Sequence, residues 1–187
     1  MTRYKTSLIL LSSLLLIGCG GGGSSTSTEA TDNTIPQTQT ETEKNVALSS
    51  NGALANATAS SDRASLVNDG DNTPNNDWLA QDIGDYIGVT FDKVYNVSEI
   101  TIHLNRANNQ DTQLQVSEDG VNWTDVTYFS ECDSLQISAP SGIDAGKIEC
   151  GFSTPKAIKA VRYQILDGVI ANSFDSLAIY EIEVTGK

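Results

Sequence analysis

Stretches of alternating apolar and polar residues fill the second half of the chain. In residues 97–104, the apolar Ile100, Ile102 and Leu104 alternate with polar or smaller side chains, which is typical of a strand with one buried face. An Asp-Gly pair at 119–120 separates two such runs and indicates a hairpin. No long segment has helical periodicity, so the pattern predicts an all-β sandwich or jelly roll. The predicted strands are 86–91, 97–104, 113–117, 121–129, 147–152, 159–166 and 177–186.

The N-terminal residues have the pattern of an export signal. Arg3 and Lys5 precede an apolar stretch, 8–17, that is too short to span a bilayer. The sequence LIGC that follows resembles the bacterial lipobox, which implies that Cys19 becomes the first mature residue and carries lipid; the alternative is an ordinary signal followed by a chance cysteine. Gly20, rather than Asp, comes next. The expected location is therefore the cell envelope, with the lipid anchor in the outer membrane of a Gram-negative bacterium.

A low-complexity segment separates this signal from the rest of the chain. Gly, Ser, Thr, Gln and Glu dominate residues 20–44, and Ile35 is their one strongly apolar residue. Such a segment cannot bury enough surface to offset its ordering entropy, which predicts a flexible tether. From Asn45 the composition changes, and the remainder has the size of one domain. The predicted organisation is a signal peptide at 1–18, lipidated Cys and linker at 19–44, and a β-sandwich domain at 45–187.

The charge balance limits the partners. The chain has 24 acidic and 11 basic residues, with a formal net charge of -13. Nucleic-acid binding requires clustered Lys and Arg, and the sequence has no such cluster, so we expect no nucleic-acid partner. A surface this acidic also avoids anionic lipid, so membrane attachment would depend on the acyl anchor.

Two cysteines, Cys132 and Cys150, remain after Cys19 is assigned to lipid. In an exported protein a disulfide between them is the default expectation. It would close an interval of 18 residues, a loop worth about 3 kcal/mol in the chain-entropy interpretation. The alternatives are two free thiols or a metal-binding pair, although no His or third Cys lies nearby in the sequence.

Several motifs, taken in order, resemble one known family. The Asp-Gly-Asp turn before Trp78, the S-x-D-G-x-x-W hairpin ending at Trp123, and the closing E-I-x-V are the most specific. Together they resemble the discoidin domain, or coagulation-factor 5/8 type C domain, whose bacterial members are carbohydrate-binding modules of family 32. The resemblance covers about residues 45–186. It implies a galactose-binding-domain-like jelly roll of about eight antiparallel strands with a structural calcium ion. The full set of motifs is NVALSSNGALANATASS, LVNDGDNTPNNDW, YIGVTF, VSEITIHLNR, LQVSEDGVNW, KAVRYQI and LAIYEIEV.

The resemblance implies a calcium site in the acidic turn. Calcium takes six to eight oxygens, and carboxylates combined with carbonyls suit it. This sequence departs from the family at Asn76, which stands where a Thr is usual, so Thr73 is an alternative ligand. The other alternative is a solvated Asx-rich turn without metal. The implied ligands are Leu66, Asp69, Asp71, Asn76, Tyr180 and Glu181, with carbonyl oxygens from Leu66, Asp71 and Tyr180 and the side chains of Asp69 and Glu181.

The resemblance also implies a sugar site. In the family an Arg after an early strand and an aromatic residue in a late loop contact the sugar, and Arg106 and Phe174 match these positions. An apolar ring packs on the C–H side of a pyranose, while Arg and Asn bind its hydroxyls. The alternative is that Arg106 pairs with a surface acid and Phe174 caps the edge of the core. The implied ligand-binding residues are Asn105, Arg106, Asn108, Asn109, Asn172 and Phe174.

The remaining candidate residues give no indication of an enzyme. Trp78 and Trp123 match packing positions of the family, so we expect both in the core. His103 is the only histidine, so a hydrolytic triad would have no other base, and no G-x-S-x-G or H-E-x-x-H motif occurs. A two-carboxylate glycosidase is the enzymatic alternative. The expected function is lipid-anchored, non-catalytic binding of a galactose-like glycan. The alternative is an envelope domain for protein–protein adhesion without a sugar site.

Overall fold

The structure, a computed structural model, describes residues 41–105, 112–138, 146–166 and 177–187, with only the backbone of Phe129. These residues all belong to one compact unit that begins at Gln39. Nine strands in the described part pair antiparallel throughout, which agrees with the predicted fold class. The strands are β1 Lys44–Asn45, β2 Leu54–Ala57, β3 Trp78–Leu79, β4 Tyr86–Leu104, β5 Thr112–Ser117, β6 Thr124–Asp125, β7 Ser134–Ser138, β8 Gly146–Ile165 and β9 Ala178–Gly186.

Strands β4 and β8 are long enough to contribute to both layers of the sandwich. The beginning of β4 and the end of β8 pair with each other and with β2 and β5, and β6 extends β5; these form the first layer. The end of β4 and the beginning of β8 pair with β9 and β7, and β1 and β3 extend β9; these form the second layer. The register of β4 against β8 shifts between Thr90 and Tyr95 and again between Val97 and Glu99. Such irregularities bend a strand, which lets one strand serve two layers.

Alternating side chains from both layers form the core. Ile87 and Val89 of the first layer and Ile100, Ile102 and Leu104 of the second are all fully buried. The predicted alternation in residues 97–104 is therefore confirmed. Each fully buried aliphatic side chain of this size contributes about 1.5–3 kcal/mol relative to exposure. This core holds fixed the strand ends that carry the loops.

The predicted Asp-Gly hairpin is confirmed, because β5 pairs with β6, but the strand predicted over 121–129 is too long. Only Thr124 and Asp125 of this segment form a strand, and a helical turn, Tyr128–Glu131, begins before the segment ends. The Asp119 carboxylate accepts hydrogen bonds from the backbone amides of Val121 and Asn122, both at 2.8 Å. These bonds hold the start of the segment in a turn, because a side-chain acceptor competes with the sheet for backbone donors.

The disulfide prediction is confirmed. Cys132 and Cys150 are bonded, with their Cα atoms 5.1 Å apart. The bond ties the segment before β7 to β8. Strand β7 was not predicted from the sequence, because its side chains are exposed or half-buried without a clear alternation.

The N-terminal predictions fall mostly outside the described residues. These include the signal peptide at 1–18, Cys19 and most of the tether. Lys44, the last residue of the predicted tether, already pairs with Gly186 in β1. No helix within the described ranges has the length and apolarity needed to cross a membrane.

Candidate functional site

The acidic turn at 68–71 is anchored by a buried amide. Asn68 ends a 3-10 helix, Ser61–Asn68, and its Nδ2 donates to the carbonyls of Ala47 at 3.1 Å and Ala53 at 3.3 Å. Gly70 follows with φ of 90°, a left-handed conformation that favours glycine because it has no Cβ. The turn therefore has a fixed position and a tight bend.

Oxygens of this turn converge on the amide of Asn76. Its Nδ2 lies 3.1 Å from both Asp69 carboxylate oxygens and 2.9 Å from the Asp71 carbonyl. The Asp71 carboxylate instead accepts from the amide of Thr73 at 3.0 Å and from its hydroxyl at 2.7 Å. Rotation of the Asn76 amide by half a turn would bring its oxygen to the same place. The arrangement thus presents the side chain of Asp69, the carbonyl of Asp71 and the side chain of Asn76 at one point.

Glu181 approaches the same turn from β9. Its side chain is buried, with 1% exposed. Oε2 accepts a long hydrogen bond of 3.4 Å from the Gly70 amide, while Oε1 has no partner among the residues that the structure describes. Burial raises the pKa of Glu181 to about 8, and the negative charges of Asp69 and Glu183 add to the rise. A buried acceptor without a donor is costly, so this oxygen is suited to a cation.

The other acid of the loop, Asp77, has a partner of its own. Arg63 forms an ion pair with the Asp77 carboxylate, and its Nε donates to the Asp77 carbonyl at 2.6 Å. Thr73 points its hydroxyl at Asp71 rather than at Asp69. Asn76, rather than Thr73, is therefore the loop residue that joins the oxygens of Asp69.

The structure does not join every implied ligand. It brings together Asp69, Asp71, Asn76 and Glu181 through their contacts with one another and with Gly70. Tyr180 is buried beside Glu181 and Leu66 lies in the 3-10 helix, and the roles of their carbonyls stay predictions. Within the described ranges, no group of three or more His, Cys, Asp or Glu side chains is arranged to hold a metal ion. A cation here would thus need carbonyl and amide oxygens in addition to carboxylates, a ligand set that calcium accepts.

Five implied sugar-binding residues lie outside the described ranges: Arg106, Asn108, Asn109, Asn172 and Phe174. The residues beside these segments are described. The backbone amide of Asn105 donates to the carbonyl of Ala178, and the side-chain Oδ1 of Asn105 accepts from the backbone amide of Ala178, both at 3.0 Å. Asn105 directly precedes the undescribed segment 106–111, and Ala178 lies just after the undescribed segment 167–176. These hydrogen bonds therefore hold the end of β4 and the start of β9 together. Direct contact of Asn105 with a ligand stays a prediction.

Comparison with known protein families decides which fold family this arrangement belongs to. Residues 45–178 match the model of the F5/8 type C domain. The chain belongs to the F5/8 type C domain family. The discoidin resemblance drawn from the motifs is therefore confirmed. The chain matches no curated protein.

Solved structures share the fold of this F5/8 type C domain. CpGH89CBM32-6 from Clostridium perfringens is 17% identical with a TM-score of 0.56, covering 77% of this chain and 100% of that chain. Chitosan-binding module 1 from a chitosanase/glucanase of Paenibacillus sp. IK-5 is 23% identical with a TM-score of 0.52, covering 75% and 98%. CpGH89CBM32-4 from Clostridium perfringens, in complex with glcNAc-alpha-1,4-galactose, is 16% identical with a TM-score of 0.53, covering 77% and 94%. At these identities the likeness shows the fold alone.

The two tryptophans of the F5/8 type C domain have different environments. Trp78 is fully buried and donates from Nε1 to the Ala59 carbonyl at 2.6 Å, as expected of a core residue. Trp123 is only half-buried, and the guanidinium carbon of Arg162 lies 4.3 Å from its ring. The prediction that Trp123 belongs to the core is therefore wrong. The turn before β6 places it on the surface of the sheet, where it stacks on Arg162.

His103 is paired with an acid. Its Nε2 lies 3.3 Å from the Glu183 carboxylate, and its side chain points away from the core, as the alternation predicts. Hydrogen bonding to His103 lowers the pKa of Glu183, in spite of partial burial. The ring thus lies against a carboxylate on the second layer.

Proposed function

We propose that this F5/8 type C domain is a non-catalytic carbohydrate-binding module, displayed at the cell envelope by a lipid on Cys19 and stabilised by calcium. The observation that carries the proposal is the family match over residues 45–178. Among structures with the same fold, one is named a chitosan-binding module and another contains glcNAc-alpha-1,4-galactose. These names favour a glycan as the ligand class, and a galactose-like sugar is the specific ligand that we propose.

The sugar site that we propose lies in the loops after β4 and before β9. The paired hydrogen bonds between Asn105 and Ala178 support it, because they hold the chain beside both loops together. Arg106 and Phe174 would bind the sugar, the guanidinium through hydroxyls and the ring through the C–H face. No acid–base pair is required for binding, which is consistent with a module that has no catalytic role.

Calcium fits the acidic turn. Asp69 and Glu181 would supply carboxylate oxygens, the carbonyl of Asp71 a neutral oxygen and Asn76 its amide oxygen. The unpaired Oε1 of Glu181 supports the assignment, because a buried carboxylate in need of a counter-charge is already in place. The bound ion would supply positive charge to these oxygens and tie the turn to β9. Glu181 is three residues from Ala178 along β9, or about 10 Å, so the same strand supports both the metal site and the sugar loops.

Lipid attachment is proposed from the lipobox-like sequence ending at Cys19. Cells that express the chain should incorporate labelled palmitate into it, and the Cys19→Ser variant should not. The variant should also leave the membrane fraction, because the acidic chain has no basic cluster to hold it at anionic lipid. Equal labelling of the two proteins would contradict the proposal.

A glycan array tests the sugar site. The mature chain with Cys19→Ser, which removes the lipid, should bind galactose-containing glycans in calcium. Arg106→Ala and Phe174→Ala should each weaken binding at least about tenfold, while circular dichroism shows an unchanged fold. Ile137→Ala, an exposed apolar residue of β7, is the matched control. Unchanged binding in both loop variants would reject the site, and no binding to any glycan would favour a protein-adhesion role.

A further inference from the structure

The outer face of the first layer carries a row of four polar side chains and one glycine. Strand pairing places five residues of five adjacent strands in register. Because neighbouring strands lie about 4.8 Å apart, the row is about 19 Å across. The residues next to them in sequence, such as Ile87 and Val161, are buried in the core, so the row faces outward. Its members are Asn56, Gly88, Arg162, Gln115 and Asp125.

Arg162 lies at the centre of this row between two aromatic rings. Its guanidinium carbon is 4.3 Å from the Trp123 ring and 5.1 Å from the Tyr86 ring. Its Nε donates to Oε1 of Gln115, and its terminal nitrogens have no hydrogen-bond partner within the described ranges. Both rings are half-buried, so each keeps part of its surface open to solvent. The stack therefore presents apolar rings and unused N–H donors side by side.

Gly88, which is buried, lets Arg162 lie close against β4 beside this stack. A Cβ at Gly88 would come within 2.8 Å of the Arg162 Cβ and 2.7 Å of the Val161 carbonyl, so a side chain there would displace the neighbouring strand. No side chain therefore stands between Asn56 and Arg162. At the edge strand β2, Leu54 is 73% exposed and adds an apolar contact. The half-buried amides of Gln113 and Gln164 flank the row. A shallow strip with apolar rings, amides and one guanidinium is the result.

The charges on this face and on the whole chain indicate the occupant. A net charge of -13 repels a polyanion. Within the row, the negative charge of Asp125 offsets the positive charge of Arg162, so the row itself carries no net charge. The strip offers rings for the C–H faces of sugars and the terminal N–H groups of Arg162 for their hydroxyls, while Gln115 holds Arg162 in place; this suits an uncharged ligand. We propose that the face defined by Asn56, Tyr86, Gln115, Trp123 and Arg162 binds a neutral polysaccharide chain, independently of the loop site.

Fluorescence and affinity electrophoresis test this proposal on the mature chain with Cys19→Ser. The chain has two tryptophans, and of these only Trp123 is exposed to solvent. Galactomannan, xyloglucan and mixed-linkage β-glucan serve as neutral probes, with alginate and chitosan as charged ones. At least one neutral polymer should change the tryptophan emission and retard the protein in native gels, and the charged polymers should do so less. Failure of all three neutral polymers to bind would overturn the proposal.

Variants separate this face from the loop site. Trp123→Ala and Tyr86→Ala should each weaken polysaccharide binding at least about tenfold, and Trp123→Phe should retain most of the binding but lose the change in emission. Ile137→Ala, on the other layer, should bind as the parent does. If removal of the stack unfolds the domain, Asn56→Arg keeps Tyr86, Trp123 and Arg162, places a long charged side chain on the row and should still block binding.

The loop variants and a competitor complete the test. The double variant Arg106→Ala, Phe174→Ala should keep polysaccharide binding, and free galactose should not displace the polymer from the parent protein. If galactose displaces the polymer, or if the double variant abolishes binding while Trp123→Ala does not, the polymer binds at the loops alone and the proposal is wrong. A positive result on this face stands even if the loops bind no sugar.

Discussion

Two Asp-Gly turns in this domain look alike in sequence and differ in chemistry. In the turn at 117–122, Asp119 accepts four hydrogen bonds at 2.7–3.0 Å, from the amides of Val121 and Asn122 and from the side chains of Ser117 and Asn122. The backbone amides lower the pKa of Asp119 most strongly. In the turn at 68–71, the acid beneath it, Glu181, has one long hydrogen bond and an unpaired oxygen. The number of donors, rather than the number of acids, distinguishes a self-sufficient turn from the one at which we propose a cation.

Removal of calcium should cause the largest change in the stability of the domain. A ligand at one hundred times its dissociation constant stabilises the folded state by about 2.7 kcal/mol. For a domain of this size, that corresponds to a shift in Tm of roughly 10 °C. Thermal unfolding in excess calcium and in chelator measures the shift. Equal Tm values would show that the two turns are alike and that the acidic turn holds no metal.

The effect of substituting Glu181 on stability should change sign between solutions with and without calcium. In calcium, Glu181→Gln removes a charged ligand and should destabilise the domain by about 1–3 kcal/mol. In chelator, the same change should be neutral or stabilising, because the parent buries a carboxyl group with one unpaired oxygen. Asp119→Asn is the matched control, since its cost should be the same in both solutions. Urea unfolding of the three proteins measures the difference, and a calcium-independent cost at Glu181 would contradict the prediction.

The pH dependence of stability in chelator should have opposite signs at the two turns. Burial raises the pKa of Glu181 to about 8. The folded state then binds more protons than the unfolded state, so its contribution is present below the unfolded pKa and is lost as pH rises toward 8. The pKa of Asp119 is lowered, so its contribution is present above the unfolded pKa and is lost in acid. Urea midpoints across pH should fall less steeply on the alkaline side in Glu181→Gln than in the parent, and identical slopes would reject the assignment.

Local patterns predicted the strands of the sandwich well, but not the environment of particular side chains. Alternation identified Ile100, Ile102 and Leu104 because burial on one face repeats every second residue. The same rule places Glu181 and Glu183 on one solvent-facing side, yet Glu181 is buried because the turn at 68–71, distant in sequence, covers it. Only the family resemblance indicated Glu181.

The sequence patterns also failed to predict the surface position of Trp123 and the extent of the turn after β5. Trp123 matches a packing position of the family, but it stacks on Arg162, which the strand register brings beside it from far along the chain. The strand predicted over 121–129 is limited to Thr124 and Asp125, because the Asp119 side chain takes the backbone donors of Val121 and Asn122. The first error comes from a partner distant in sequence, and the second comes from a local side-chain acceptor that hydrophobic alternation does not register.

The smallest expected effect concerns the two glycines. Gly70 and Gly120 have φ of 90° and 81°, and a Cβ at either would meet only ordinary contacts, Leu48 at 3.5 Å and Lys159 at 3.8 Å. Gly70→Ala and Gly120→Ala should therefore each cost about 1–2 kcal/mol from backbone strain alone. The Gly70 amide contacts Glu181, so its substitution should also weaken the response to calcium, whereas Gly120→Ala should leave that response unchanged. Calcium titrations followed by thermal unfolding compare the two variants. An equal calcium response in both would mean that the backbone of the acidic turn does not set the geometry of the ligands, and that the difference between the turns lies in Glu181 alone.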